Sequence, residues 1–396
     1  MTGVSLEVED VAASYGAVRV LAGVSLQIEP GEFMALLGSS GCGKTTLLRS
    51  ISGFVPIDTG RIKVAGRDVT GLPPEKRDMA MVFQSYALWP HMTVAQNIGY
   101  GLKLRRVSNA SQRVDEMLAL LDLSGLGNRN VTALSGGQRQ RVALGRALAI
   151  NPKVLLLDEP LSNLDARIRQ NVRHEIKELQ VGLGITTIHV THDREEAMVM
   201  ADRIVILEAG EIAQIGTPED VYNRPNSPFV ATFMGADNIL SLRVERRDDK
   251  IYIPEGSQNL DATLPMGTEG GGRGVQVVGI ESEGMASAHF RSEAASLSIG
   301  GDTASNHLIL RGEIVQSSYP GGYYRYTIVV GDRQFMVDHP ERLPLGQDVN
   351  VCLPAAALHL YPAASGSMKE DGAAIPSAAS LDRHGADHEL EGRKIA

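Results

Sequence analysis

The chain has 396 residues, of which 43% are hydrophobic and 21% charged, and its 38 basic and 47 acidic side chains give a formal net charge of −9. This composition excludes wholesale disorder, and the acidic balance gives no support to nucleic-acid binding through a basic face. Because the length exceeds that of one ordinary hydrophobic core, we expect two domains.

The sequence predicts neither a targeting segment nor a disulfide framework. The first ten residues include acidic side chains and no apolar segment, and no later stretch reaches the roughly eighteen apolar residues that a spanning helix needs. Cys42 and Cys352 are far apart in the chain, which is typical of a reducing compartment. We therefore expect a cytoplasmic protein that reaches the membrane only through partner subunits.

The region from Val4 to Asp237 alternates short β-branched runs with amphipathic stretches of helix length, which predicts an α/β domain with a largely parallel sheet. Its first part, Leu6–Val11 and Val24–Ile28, is typical of an antiparallel β-layer. A helix is predicted over Gln112–Leu121, where apolar residues recur at helical spacing. The predicted strands of the main sheet are Phe33–Leu37, Met79–Phe83, Val154–Leu157, Thr186–Val190 and Ile204–Leu207.

After Asn238 the pattern changes to short alternating strands separated by Gly, Pro and Asp, which predicts a small all-β domain. Its predicted strands include Tyr323–Val330, Arg333–Val337 and Val349–Leu353. The predicted domains are thus 4–237 and 238–363. By composition, 268–274 is a flexible loop and 364–396 is a disordered tail.

A phosphate-binding loop is the first chemical motif along the chain, between a predicted strand and a predicted helix. Glycines there let backbone N–H groups approach phosphate oxygens, and the following helix N-terminus favours negative charge. Lys44 would neutralise the β- and γ-phosphates, and the Thr45 hydroxyl would bind Mg²⁺. The candidate nucleotide-binding residues of this loop are Gly38, Ser39, Ser40, Gly41, Cys42, Gly43, Lys44, Thr45 and Thr46.

Two acidic residues, Asp158 and Glu159, end the apolar strand Val154–Leu157. A buried parallel strand delivers such side chains to the edge of the sheet where ligands bind. Asp158 is the candidate Mg²⁺ ligand, and Glu159 is the candidate general base for the attacking water. A strand followed by two acids at a turn is common, so the pair gains weight only beside the phosphate loop.

A second anion site is predicted by Ser135, Gly136, Gly137 and Gln138, which open a helix. An N-cap serine followed by glycines for tight packing is the alternative. The segment Leu134–Gln138 resembles the signature motif of the ATP-binding cassette (ABC) family, and the motifs over residues 4–237 follow that family's order. The resemblance implies the cassette fold of a phosphate-loop NTPase: a mixed, largely parallel sheet, an antiparallel β-layer and a helical subdomain.

The resemblance also implies a head-to-tail homodimer, in which the signature segment of one copy closes over the ATP held by the phosphate loop of the other. Four further residues match the family's pattern. Gln84 matches the glutamine that contacts Mg²⁺ and the attacking water, and His192 matches the switch histidine at the γ-phosphate. Asp165 matches an aspartate that links the two sites, although a helix N-cap explains it equally well. Tyr15 matches the aromatic that stacks on adenine.

Trp89, the only tryptophan, lies in a turn region that the family uses to receive a helix of the membrane subunit. Packing within the helical subdomain is the alternative. The β-region resembles the OB-like TOBE domain of importer ATPases, most closely those for polyamines, ferric iron and 2-aminoethylphosphonate. One departure is the segment from Ile280 to Glu283, which lacks an arginine and a proline that many of these relatives carry.

The sequence therefore predicts an Mg²⁺-dependent ATPase that drives the permease subunits of an importer, with a solute-binding protein as an indirect partner. The sequence disfavours three other functions. GTPase or kinase chemistry lacks support, because no guanine-reading Asn-Lys-x-Asp and no protein-kinase motif set appears. A cassette ATPase that acts on DNA or the ribosome usually carries coiled-coil insertions or two cassettes, and neither is visible here. A regulatory protein that only binds ATP would not need Asp158 and Glu159.

Overall fold

The computed structural model describes residues 3–256, 259–267, 274–300 and 306–363. The predicted tail, and the predicted flexible loop apart from Gly274, lie outside these ranges. Through residue 237 the strands are β1 Leu6–Tyr15, β2 Val18–Ile28, β3 Phe33–Gly38, β4 Thr59–Val64, β5 Arg67–Asp68, β6 Met79–Val82, β7 Val154–Asp158, β8 Thr186–Val190, β9 Arg203–Glu208 and β10 Glu211–Gly216. The helices are α1 Lys44–Ser52, α2 Val94–Leu104, α3 Ala110–Leu120, α4 Gly136–Ala149, α5 Ala166–Leu183, α6 Arg194–Met200, α7 Pro218–Asn223 and α8 Pro228–Phe233.

The main sheet has the strand order β10-β9-β3-β8-β7-β6, in which only the edge strand β10 runs antiparallel to its neighbour. Side chains alternate between its two faces, and both faces are covered. Phe33 and Leu37 pack with the helical layer, whereas Met34 and Leu36 pack with α1 and the β-layer. Burial on both faces explains the continuous apolar runs of these strands.

A separate antiparallel layer, β2-β1-β4-β5, covers the α1 side of the main sheet. On the other side, α2, α3 and α4 build the helical subdomain. Within the predicted helix, Met117, Leu118 and Leu121 are buried and Val114 packs against the same core. The sheet arrangement and this amphipathic helix confirm the predicted cassette fold.

The region after residue 237 is all β, as predicted, and has its own hydrophobic core. One of its sheets has the order β13-β12-β11-β15-β21-β14 and the other β16-β20-β17-β18-β19. These strands are β11 Asn238–Arg247, β12 Lys250–Ile253, β13 Ala262–Pro265, β14 Gln276–Val277, β15 Glu283–Phe290, β16 Ser296–Ser298, β17 His307–Ser318, β18 Tyr324–Val330, β19 Arg333–His339, β20 Asp348–Pro354 and β21 His359–Pro362.

A buried arginine joins this β-region to α7 and to the residue after α8. The guanidinium of Arg291 donates to the carbonyl oxygens of Tyr222, at 2.6 Å, and Met234, at 3.2 Å, and it lies 3.6 Å from the centre of the Tyr222 ring. Burial, with the charge of Arg291 beside it, lowers the pKa of His359 to about 3. The imidazole is therefore neutral and accepts from Arg291, with 3.4 Å between the nitrogens.

Replacing Arg291 should weaken the contact between the β-region and α7. In Arg291→Met two buried carbonyl oxygens lose their donor, which costs about 3 kcal/mol. We expect the apparent melting temperature to fall by about 5 °C, measured by differential scanning fluorimetry. Arg333→Met is the matched control, since Arg333 is exposed and makes one bond to the Ile239 carbonyl oxygen. Equal melting temperatures for the two variants would contradict this role of Arg291.

Candidate nucleotide-binding site

The loop between β3 and α1 can be formed only with glycine at key positions. Gly38 pairs with Leu207 of β9, and a Cβ atom at Gly38 would lie 2.5 Å from the Leu207 carbonyl oxygen. Gly43 has φ = 105°, a left-handed conformation, and a Cβ atom there would lie 2.9 Å from a methyl group of Leu21. The loop therefore packs closely against β9 and β2, and a side chain at either glycine would displace it.

The start of α1 is suited to an anion. Its N-cap is Gly43, and no side chain within the described residues caps the first turn. The buried Lys44 ammonium donates to the carbonyl oxygens of Gly38, at 2.7 Å, and Ser39, at 2.9 Å. Positive charge and uncapped N–H groups thus meet at one point, as a phosphate group requires.

The other predicted loop residues divide between solvent and core. Ser39, Ser40 and Gly41 are exposed. Cys42 and Thr46 are buried, and the Cys42 sulfur lies 3.8 Å from the Lys44 ammonium. The burial of Cys42 shows that it packs as a small side chain within the loop.

Asp158 brings a carboxylate to the loop from the end of β7. Its Oδ1 accepts from the Thr45 hydroxyl at 3.2 Å, and its Oδ2 lies 3.6 Å from the Arg49 guanidinium. Burial raises the pKa of Asp158, although Arg49 and Thr45 oppose that effect. Two oxygen donors therefore converge beside the phosphate loop, which is the donor type that Mg²⁺ prefers.

Glu159 is the centre of a second set of contacts. Its Oε2 accepts from the Gln84 amide at 3.2 Å, and its Oε1 lies 3.3 Å from Nδ1 of His192. Its backbone has φ = 45°, and its N–H donates to the carbonyl oxygen of Val190 at 3.1 Å. A positive φ at a non-glycine residue costs conformational energy.

Gln84 and Asp165 are both held by hydrogen bonds. The carbonyl oxygen of Gln84 accepts from the Asn163 amide at 2.7 Å, which ties the turn after β6 to the turn before α5. Asp165 caps α5 by accepting from the backbone N–H of Ile168. The N-cap explanation of Asp165 is thus correct for this chain, and its role across a dimer stays a prediction.

Ser135 of the signature segment is exposed and makes a capping box with Gln138 at the start of α4. The Ser135 hydroxyl accepts from the Gln138 N–H at 3.3 Å, and the Gln138 side chain accepts from the Ser135 N–H at 3.0 Å. Added Cβ atoms at Gly136 and Gly137 would contact Leu164 and Ile168. The N-cap serine and the tightly packed glycines of the alternative interpretation are therefore both present. Ser135 is nevertheless exposed and accessible to a second chain.

Two aromatic residues have different surroundings. Tyr15 ends β1 beside the turn to β2 and is 51% exposed, so its ring face is free to stack. Trp89 is half-buried against Tyr100 of α2, with 4.0 Å between ring centres, and the Arg146 guanidinium lies 4.9 Å from its ring. The packing alternative for Trp89 is correct in this chain, and its contact with a partner stays a prediction.

Sequence reasoning missed Arg49, Asn163 and Arg146. Arg49 lies four residues after Thr45 on α1, so both are on one face of the helix. This spacing was the signal that could have identified Arg49. Arg146 donates to the carbonyl oxygens of Tyr86 and Ala87, residues sixty and fifty-nine positions earlier. A contact over that separation leaves no local pattern.

Gly38→Ala tests the loop geometry. The methyl group would collide with the Leu207 carbonyl oxygen and displace the loop, so we expect labelled ATP to bind about 10- to 100-fold more weakly by fluorescence anisotropy. Gly71→Ala is the control, because a Cβ atom there would meet nothing within 4 Å. Unchanged affinity in Gly38→Ala would show that the close approach is unimportant.

Comparisons with known proteins agree with this geometry. A family model described as ABC transporter matches residues 21–162. The chain is 42% identical over 351 residues to the Fe(3+) ions import ATP-binding protein FbpC of Rhizobium etli, covering 87% of this chain and 94% of the relative. It is 49% identical over 275 residues to the spermidine/putrescine import ATP-binding protein PotA of Pseudomonas fluorescens, covering 67% of this chain and 76% of the relative.

Another relative and one solved structure extend the comparison. The sulfoquinovosyl glycerol transport ATP-binding protein SmoE of Agrobacterium fabrum is 49% identical over 287 residues, covering 72% of this chain and 79% of the relative. The structure of cbiO1 from Clostridium perfringens, part of the ABC transporter complex cbiONQ, has a TM-score of 0.52 at 29% identity and covers 55% of this chain and 90% of its own.

Proposed function

Because the chain belongs to the family of ATP-binding subunits of ABC importers and is an ATPase of that kind, we propose that it hydrolyses Mg²⁺-ATP in a head-to-tail homodimer with Glu159 as general base. The observation that carries the proposal is the convergence of Gln84 and His192 on the Glu159 carboxylate. These contacts support the assignment of the general base to Glu159, which directly follows Asp158 at the end of β7.

The general base and the metal-binding oxygens are held by different side chains, and hydrolysis requires this separation. Asp158 contacts Thr45 and Arg49, whereas Glu159 contacts Gln84 and His192. A carboxylate that binds a cation is a poor base, so Glu159 must stay free of the metal to accept a proton from water. Gln84 contacts Glu159 and not Asp158, so we assign it to positioning the attacking water in preference to binding the metal.

The phosphate groups of ATP would be bound by Lys44 and the first turn of α1. Thr45 and Asp158 would hold Mg²⁺, which when bound neutralises charge on the β- and γ-phosphate oxygens. His192 is 62% exposed, so its ring can donate to the γ-phosphate while Nδ1 stays near Glu159. Tyr15 would stack on the adenine ring.

The dimer is supported by the position of the signature segment. Ser135 is exposed at the N-terminus of the fourteen-residue helix α4, and its hydrogen bonds among the described residues are those of its own cap. A second phosphate site without its own phosphate loop becomes useful when another copy supplies the nucleotide. Asp165, at the start of α5, would then lie near the same interface.

The membrane partners are part of the proposal. Among the described residues, no helix is both long and apolar enough to cross a membrane. We assign the chain to the cytoplasmic face of the cell membrane, bound to integral permease subunits, with a periplasmic or surface solute-binding protein as an indirect partner. No contact with nucleic acid is proposed.

The transported solute is assigned only by class. Relatives are named for Fe(3+), for spermidine and putrescine, and for sulfoquinovosyl glycerol. We propose a small solute of the ferric iron, polyamine or phosphonate type.

The chain divides in this proposal into an ATP-binding domain, 4–237, and a TOBE-like domain, 238–363. Asn238 at the junction makes two hydrogen bonds with Met336.

Glu159→Gln tests the mechanism. The amide keeps the shape of the side chain but cannot accept the proton, so we expect hydrolysis to fall by about 100-fold or more in a phosphate-release assay. ATP should still bind and should stabilise a dimer, measured by size-exclusion chromatography with light scattering.

Glu219→Gln, an exposed change in the first turn of α7, is the matched control and should hydrolyse ATP normally. Normal hydrolysis in Glu159→Gln would contradict the general-base role. If hydrolysis is lost but ATP induces no dimer, the site shared between two copies is contradicted and the general-base role is not.

A further inference from the structure

The turn that carries His192 is attached to helix α5 by a cluster of charged side chains that the proposed chemistry does not use. The cluster comprises Arg169 and Arg173 of α5, and Asp193, Glu195 and Glu196 at the start of α6. Arg173 is 4% exposed and Glu196 is 4% exposed, so the centre of the cluster is buried. Buried charges require close partners, which fixes their relative positions.

Arg173 holds the residue directly after His192. Its Nη2 donates to Oδ2 of Asp193 at 3.0 Å, and its Nη1 lies 2.9 Å from Glu195. The other carboxylate oxygen of Asp193 accepts from the backbone N–H groups of Glu195 and Glu196. One aspartate thus caps α6 and receives the arginine of α5.

The residue directly before His192 is fixed in the same way. The Thr191 hydroxyl donates to Oε2 of Glu196 at 2.7 Å and accepts from the Asp193 N–H at 3.0 Å. His189 also contacts this carboxylate, at 3.3 Å. Burial raises the pKa of Glu196, but His189, Thr191 and Arg173 outweigh it and leave that pKa below its ordinary value. The carboxylate therefore remains charged, as its role between Arg173 and Thr191 requires.

Arg169 connects the cluster to the turn before α5. Its guanidinium donates to the carbonyl oxygen of Leu164 at 3.1 Å and lies 3.6 Å from Asp193. Leu164 precedes Asp165, and Asn163 of the same turn donates to the backbone of Gln84. The turns that carry Gln84, Asp165 and His192 are therefore joined through side-chain contacts.

Stabilisation alone does not account for this cluster. Buried ion pairs contribute little net stability compared with apolar packing of the same volume. Among the described residues, the Nε atoms of both arginines have no hydrogen-bond acceptor, which lowers the stability gain further. What the cluster does provide is a fixed geometry on both sides of His192.

We propose that Arg173, with Arg169 beside it, is a positioning residue that holds the Thr191–Asp193 turn against α5 and so sets the place of the His192 imidazole during hydrolysis. The inference rests on the proposed role of His192. It assigns to α5 a function in catalysis although neither arginine contacts the reacting atoms.

The test is a double-mutant cycle in the full chain, followed by steady-state and single-turnover ATP hydrolysis. We expect Arg173→Met to lower kcat by about 10- to 100-fold while KM for ATP changes less than about threefold. Arg173→Lys should recover part of the loss. In a His192→Ala background, Arg173→Met should lower the remaining rate by less than about twofold, because the positioned group is gone.

Lys177→Met is the matched control, since Lys177 lies one turn further along α5 and pairs with Asp202 at 2.8 Å. Its kcat should stay within about twofold of the wild type. If Arg173→Met does not fold, Thr191→Val, which removes the hydroxyl contacts to Glu196 and to the Asp193 N–H, takes its place in the cycle.

The outcomes separate the two proposals. If His192→Ala hydrolyses ATP at the wild-type rate, the proposed role of His192 is wrong, and the positioning role fails with it. If His192→Ala is slow and Arg173→Met lowers kcat by the same factor in both backgrounds, the arginine acts on stability or folding, and only the positioning role is overturned. An unchanged kcat in folded Arg173→Met overturns it as well.

Discussion

The site depends on the parallel alignment of β3, β8, β7 and β6, because parallel strands end at one edge of their sheet. The phosphate loop follows β3, and the two carboxylates end β7. Since β8 and β6 lie on either side of β7, the residues that follow them, His192 and Gln84, reach Glu159 from opposite sides. The order of the strands thus determines which side chains meet.

The same sheet explains how charges can be placed where they would otherwise be costly. Both of its faces are covered by apolar layers, so side chains at the strand ends are partly withdrawn from water. Asp158 and Lys44 are buried there and are stabilised by Thr45, Arg49 and loop carbonyl oxygens. Partial burial strengthens each of these electrostatic contacts and fixes their geometry before a nucleotide binds.

Much of the fold and of the site could be predicted from the sequence, for a physical reason. A strand buried on both faces must be apolar throughout, and this made β3, β7 and β8 visible as runs bounded by turns. Glycines, two carboxylates and a capping serine have local requirements, so Gly38, Asp158 and Ser135 could be identified from their neighbours. Which oxygen faces which donor could not be predicted in this way.

The contacts that escaped prediction are those between distant segments. Arg173 lies on an amphipathic helix, where an arginine usually faces water, and its partner Asp193 follows twenty residues later across a strand. Alternation in β11 and β15 indicates a buried face but not that these two strands pair. Arg291 was missed for the same reason, because its partners lie in α7 and just after α8.

The left-handed backbone at Glu159 has an evolutionary consequence. Glycine would adopt φ = 45° without steric cost, so the position carries a side chain against its own conformational preference. With Glu159 as the proposed general base, a library selected only for thermal stability would tend to replace this glutamate and lose hydrolysis. Thermal stability and ATP hydrolysis would then make opposite demands on this one residue.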